Sequence, residues 1–116
     1  MYALPANLDL SRLIGQQLQN IGVGLHIVNL DFERDNISCE GRLVAENENA
    51  ATVIYDKSGW VDASVLPRLV GGTVASWTIE ASHEFSISLD NGYKLRFTSE
   101  DGPYEDFVIF GATWVV

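Results

Sequence analysis

The chain has 116 residues, 47% of them hydrophobic and one of them cysteine, and 16 acidic against 7 basic side chains leave a net charge of −9. That length supports one domain, residues 1–116, the apolar content excludes wholesale disorder, and a lone cysteine excludes an internal disulfide framework. The acidic excess argues against nucleic acid and against an anionic membrane surface, which both select a basic face, and favours a basic protein as partner.

The first basic residue is Arg12 and no long apolar run follows it, so neither a signal peptide nor a membrane span is expected, and the chain reads as cytoplasmic. Leu8 to Ile14 reads as a short helical turn stopped by Gly15. Leu18, Ile21 and Val23 begin the first strand, and the step of three between Leu18 and Ile21 predicts a bulge or a bend. Gly22 and Gly24 mark a bend. Val28, Leu30 and Phe32 lead through the charged stretch Glu33 to Asn36 into Ile37, Cys39, Gly41 and Leu43. Glu46-Asn47-Glu48-Asn49 then precedes Val53-Ile54-Tyr55 and Trp60.

A second helical turn is expected at Val65 to Val70, limited by Pro67, with Ser64 as its N-cap and Gly71 as its stop. Val74 and Trp77 repeat the spacing of three. Phe85, Ile87 and Leu89, then Tyr93, Leu95 and Phe97, alternate with polar residues, as strands with one wet face do. Asp90-Asn91-Gly92 between them is a hairpin turn, because Asn-Gly tolerates positive φ.

The chain is written twice. Arg12-Leu13-Ile14-Gly15 returns as Arg68-Leu69-Val70-Gly71, and at the same offset Leu18, Ile21 and Val23 match Val74, Trp77 and Ile79. With slippage in the turns, Ile37 and Cys39 fall on Leu95 and Phe97. Val53-Ile54-Tyr55 aligns with Val108-Ile109-Phe110, and Trp60-Val61 with Trp114-Val115. The expected fold is mainly β: an antiparallel sandwich or open barrel of about eight strands, from similar halves spanning about 8–61 and 64–116. Each half should be a unit of roughly four strands, the two packing about a pseudo-two-fold axis, with one or two short helical turns.

Chemistry is sparse. No phosphate loop, nucleophile turn or zinc-protease helix is present. Asp31, Glu33 and Asp35 resemble a calcium loop, but Asn36 and Arg42 stand where its glycine and closing carboxylate belong, so a charge-solvated hairpin is expected. His26, His83 and Cys39 are far apart, and Cys39 takes an inward strand position, so it reads as a buried thiol. Neither catalysis nor a cofactor is expected. The tryptophans read as core, with Trp60 and Trp114 packing together or lining a ligand cavity.

Acid is concentrated before the last strand of each half, at Glu46 and Glu48 and at Glu100, Asp101, Tyr104, Glu105 and Asp106. A ring among carboxylates suits an interface with a basic partner, so Tyr104, Glu105 and Asp106 lead the candidates, followed by Glu100, Asp101, Glu46 and Glu48.

The stretch from Leu13-Ile14-Gly15-Gln16-Gln17-Leu18 to Ile21-Gly22-Val23-Gly24, followed by Val28 to Phe32, resembles a family of small bacterial proteins known as a domain of unknown function. Its Leu-x-Gly-Gln-x-Leu opening is matched by Leu13 to Leu18, and its Tyr-Glu pair before a final strand by Tyr104-Glu105 in the stretch from Gly102 to Ile109. The chain also looks like the immunity proteins of contact-dependent or polymorphic toxin systems. That resemblance implies stoichiometric blocking of a toxin domain, often a nuclease with a basic cleft, and brings no catalytic residues. The alternative is a small-molecule-binding or structural β module. Open sheet edges leave a homodimer as a further option.

Overall fold

The computed structural model describes residues 3–100, 106–111 and 114–116, with the side chain of Trp114 left out. A 3-10 turn at Ser11–Leu13 precedes β1 (Leu18–Val23), β2 (Val28–Phe32), β3 (Asn36–Cys39), β4 (Arg42–Glu46), β5 (Ala51–Asp56) and β6 (Gly59–Trp60). A four-residue helix α1 (Leu66–Leu69) separates these from β7 (Val74–Ala81), β8 (Glu84–Leu89), β9 (Lys94–Thr98), β10 (Phe107–Ile109) and β11 (Trp114–Val115). Both turns end where expected, at Gly15 and Gly71, whose φ values of +87° and +98° suit glycine. Ser64 is not the N-cap of α1: Val65 takes that place without a side-chain bond, and the Ser64 amide donates to Asp62 Oδ1. Among the described residues, no helix is long and apolar enough to cross a membrane.

The protein is mainly β, with two antiparallel sheets ordered β1-β2-β3-β10-β11 and β6-β5-β4-β9-β8-β7. Eleven strands stand where about eight were expected, with the two-residue β6 and β11 among the additions, each at a sheet edge. Each expected bulge is present: the β1–β2 register shifts between Leu18 and Asn20, and the β7–β8 register between Val74 and Ser76.

The halves do not form separate sheets. Each contributes a three-strand meander, β1–β3 or β7–β9, and each meander is completed by strands of the other half. The crossing between sheets is made at Gly41, where a Cβ would stand 2.9 Å from the Thr98 carbonyl and 3.0 Å from Asp106. Only glycine passes there without a shift. Phe107 lies opposite Cys39 as Leu43 lies opposite Phe97. Strand β10 therefore takes the place beside β3 that β4 takes beside β9, and the expected match of Val53-Ile54-Tyr55 to Val108-Ile109-Phe110 is one strand out of step.

Where the meanders meet, Gly15 N–H donates to the Val74 carbonyl and Gly71 N–H to the Leu18 carbonyl, each at 2.8 Å. Leu18 N–H donates to Gly72 and Val74 N–H to Gln16, at 2.8 and 2.9 Å, around the bridge Gln17–Thr73. Exchanging each residue for its counterpart maps this set onto itself. Strand β1 starts beside β7 and its following turn reaches β6 through Trp60, so it runs from one edge of the six-stranded sheet to the other. That is the arrangement of crossed sheets.

One apolar cluster fills the space between them, with Leu13, Leu18, Leu30 and Ile37 from the first half beside Leu69, Ile87 and Leu95 from the second. Phe85 and Phe97 stack at 4.6 Å, and Phe107 from the facing sheet stands edge-on to both, at 5.5 and 6.0 Å. Each such ring stabilises the fold by about 1.5–3 kcal/mol through burial.

Candidate protein-interaction site

The acidic candidates scatter. Because β4 and β9 are antiparallel, Glu46 lies opposite Lys94 at one end of the pair and Arg42 opposite Thr98 at the other, from which Ser99 and Glu100 continue. Glu46 is half-buried on the outer sheet face, where Arg96 binds its carboxylate at 2.7 Å and Lys94 stands at 4.0 Å. Arg96 also meets Glu84 at 2.8 Å, and Lys94 meets Glu80 at 2.6 Å, so this face neutralises much of its own charge. Glu48 is exposed in the β4–β5 turn. Asp101, Tyr104 and Glu105 lie outside the described residues.

Asp106 corrects the expectation of a displayed charge. Its side chain is fully buried. Ser99 Oγ donates to its Oδ2 at 2.6 Å, and Lys57 Nζ stands 3.3 Å from Oδ1. Its carbonyl accepts from the amides of Glu40 and Gly41 at 2.7 and 3.1 Å. Oδ1 lacks a well-directed hydrogen bond, so the ammonium charge of Lys57 offsets its desolvation. Asp106 thus pins the β3–β4 and β5–β6 turns to β9 and β10. Among the described residues of the expected set, Glu100 joins it, accepting the Lys57 amide at 3.3 Å.

A more structured surface stands beside Lys57. Leu25, in the β1–β2 turn, is 80% exposed. Behind it Trp60 Nε1 donates to the Gly24 carbonyl at 2.7 Å, and the Trp60 ring stands edge-on to Tyr55 at 5.3 Å. An open cavity of about 330 Å³ is lined by Leu25, His26, Tyr55, Lys57 and Trp60 among others, and Val61, next in the chain, is 54% exposed. Three carboxylates lie near this end: exposed Glu40, which acts on Tyr55, half-buried Asp56, next to Lys57 in the chain, and half-buried Glu100, bonded to the Lys57 amide; exposed Arg42 stands near Asp56. Hydrogen bonds from Ser58, helped by the charge of Arg42, hold the Asp56 carboxyl below its ordinary value, so it stays ionised. Burial first, then neighbouring negative groups including Glu40 and Asp56, push the Tyr55 hydroxyl up. The end is apolar at its centre and negative at its rim.

Cys39 is buried as read. Burial, reinforced by the carboxylates of Asp106, Glu100 and Glu40, pushes its thiol well up, leaving it neutral and poorly nucleophilic. His26 is exposed in the β1–β2 turn, and His83 is half-buried in the β7–β8 turn, where Ser82 Oγ lies 3.4 Å from its ring. Among the described residues, no group of three or more His, Cys, Asp or Glu is placed to hold a metal. The hairpin holding Asp31, Glu33 and Asp35 is pinned rather than solvated: Asp35 accepts from Arg12 and from Gln16 Nε2, and its side chain is 5% exposed.

Sequence reasoning missed Leu25 and Gln16. Both stand where the halves disagree: Gln16 falls on Gly72, and the turn after Ile79 carries Glu80, Ala81, Ser82, His83 and Glu84, with no large apolar residue. That mismatch was the available signal. No family model, curated protein or solved structure matches the chain.

Proposed function

We propose that this chain is an immunity protein, a non-enzymatic inhibitor that neutralises a cognate bacterial toxin domain by stoichiometric association in the cytoplasm. The observation that carries the reading is the apolar end around Leu25 and Trp60, rimmed by Glu40, Asp56 and Glu100, on a chain of net charge −9. Such a surface steers a basic partner by its field and then holds it by burying apolar area. Inhibition needs no chemistry from this chain: occupying a basic nuclease-like cleft excludes its substrate. The test is growth of cells expressing the product of the gene immediately upstream, with and without this protein. Rescue at equimolar expression is expected, and killing undiminished by the protein overturns the reading.

A second reading is favoured by the cavity itself. Its volume of about 330 Å³ lies at the low end of small-molecule sites, and Trp60 forms one wall. A shift of tryptophan emission with a metabolite panel, in the absence of any protein partner, supports that reading; an unchanged spectrum removes it.

A further inference from the structure

We infer that Leu25, backed by Trp60 and flanked by Val61, is the apolar anchor through which this chain seats on a basic protein partner. The inference rests on the inhibitory reading above and names its contact. One half of the molecule serves as a control for the other.

Among the described residues, seven large apolar side chains are exposed: Ile14, Val23, Leu25, Val61, Val70, Ile79 and Val115. Ile14 and Val70 are counterparts in the two halves, exposed to 48% and 41%, and so are Val23 and Ile79. Exposure shared by both halves belongs to the scaffold, and scattered single apolar residues on a surface are ordinary. Val115 lies in β11, at the edge of the five-stranded sheet, and β11 pairs with β10 as β5 pairs with β4. The expected match of Trp60-Val61 to Trp114-Val115 is therefore also out of step, and Val115 is not the counterpart of Val61. What remains is Leu25 and Val61, which both border Trp60. Leu25 is the most exposed of the seven, and the corresponding turn of the second half offers nothing like it.

The turn that carries Leu25 is held in place. Gly24 accepts from Trp60 Nε1, and its own amide donates to the Ile27 carbonyl at 2.9 Å. A Cβ at Gly24 would come within 2.5 Å of the Ile27 side chain, so a larger residue there would have to displace Ile27. A side chain presented on a rigid turn loses little freedom when bound, which suits a central anchor. Lys57 lines the same cavity while its ammonium group is paired with buried Asp106, so the positive charge nearest the anchor is already compensated. Exposed Arg42 beside Asp56 offsets part of the rim, but Glu40, Asp56 and Glu100 outnumber it, and charge complementarity therefore selects a basic surface. A desolvated apolar centre inside a charged rim is the usual layout of a binding hot spot.

The experiment measures association of the purified protein with the product of the gene immediately upstream, alongside rescue by this protein of cells expressing that product. Leu25→Ala is expected to weaken binding at least tenfold, mainly through faster dissociation, with the salt dependence of association unchanged. Glu40→Lys with Glu100→Lys is expected to slow association and flatten that salt dependence. Ile79→Ala, the scaffold control, is expected to stay within twofold of the parent. Far-UV circular dichroism and melting of Leu25→Ala should match the parent, since its side chain is largely in water. If the parent binds and Leu25→Ala binds within twofold of it, the anchor is elsewhere and the inhibitory reading survives. Equal weakening by Ile79→Ala and Leu25→Ala overturns the inference as well. If the parent neither binds nor rescues, both fall together.

Discussion

Each half fastens a hairpin to the segment before an edge strand with a side-chain amide, but the amide comes from opposite partners. In the first half Gln16, almost fully buried, reaches out of that segment. Its Nε2 donates to the Arg12 carbonyl at 2.9 Å and to Asp35 at 2.7 Å, and its Oε1 accepts from the Arg34 amide at 2.9 Å. In the second half the counterpart is Gly72, and Asn91 reaches in from the hairpin to donate to the Arg68 carbonyl at 3.0 Å. A Cβ on Gly72 would lie 2.7 Å from that amide nitrogen. An acid completes each joint: Glu33 accepts the Gln17 amide, and Asp90 accepts the Thr73 amide. What the halves share is the set of backbone groups that need partners; which side chain supplies the partner is free to change.

The largest test of this comparison asks whether the halves are energetically separable. Phe107→Ala removes the ring that joins the stacked pair Phe85–Phe97 to the facing sheet, and a loss of about 3–5 kcal/mol is expected in urea unfolding. Because the sheets exchange strands, parent and variant should each unfold in a single transition; two resolved transitions would show two independent cores.

Next in size are the two amides. Gln16→Ala leaves the Arg34 amide and Asp35 short of partners in a buried joint and is expected to cost about 2 kcal/mol. Asn91→Ala, at an exposed turn, is expected to cost about 1 kcal/mol or less. Equal costs would mean that burial does not distinguish the joints.

The acid limb sharpens the same contrast. Burial alone would raise the Asp35 carboxyl, but hydrogen bonds from Gln16 and Arg12 and the charges of Arg12 and Arg34 outweigh it, and it titrates below its ordinary value of 3.8. A depressed folded value means the contribution is fully present above about pH 5 and fades as pH falls through the unfolded value toward the folded one. Melting temperature should therefore drop more steeply for the parent than for Asp35→Asn across that window; parallel curves would remove Asp35 from the account. The smallest effect is expected at the outer face: Arg96→Met, whose guanidinium joins Glu46 and Glu84 near solvent, should cost about 1 kcal/mol or less, diminishing with added salt.

Much of the scaffold was legible. The alternation of Phe85, Ile87 and Leu89 marked β8, the Asn91-Gly92 turn marked its hairpin, and the irregular steps at Leu18 and Val74 marked bulges the registers contain. Strand partners were not legible, because β3 and β9 carry the same period of two and that period says which side chains point inward but not which strand lies alongside. The acid cluster misled for a related reason. Asp106 is charged, and a charged residue in a turn-rich acidic run belongs on the surface unless a cation and a hydroxyl reach it. Lys57 and Ser99 do reach it, from the β5–β6 turn and from the segment just after β9.

By itself, then, the sequence determined what depends on neighbours along the chain: period-two faces, the glycines that stop each turn, the bulges, and the doubling of the pattern. The tertiary structure alone decided what depends on distant segments meeting. It exchanged strands between the halves, buried Asp106 under Lys57, and stood Leu25 in water against Trp60. Local periodicity reports which way a side chain points, while its surroundings are set by close-packed partners that the period does not encode.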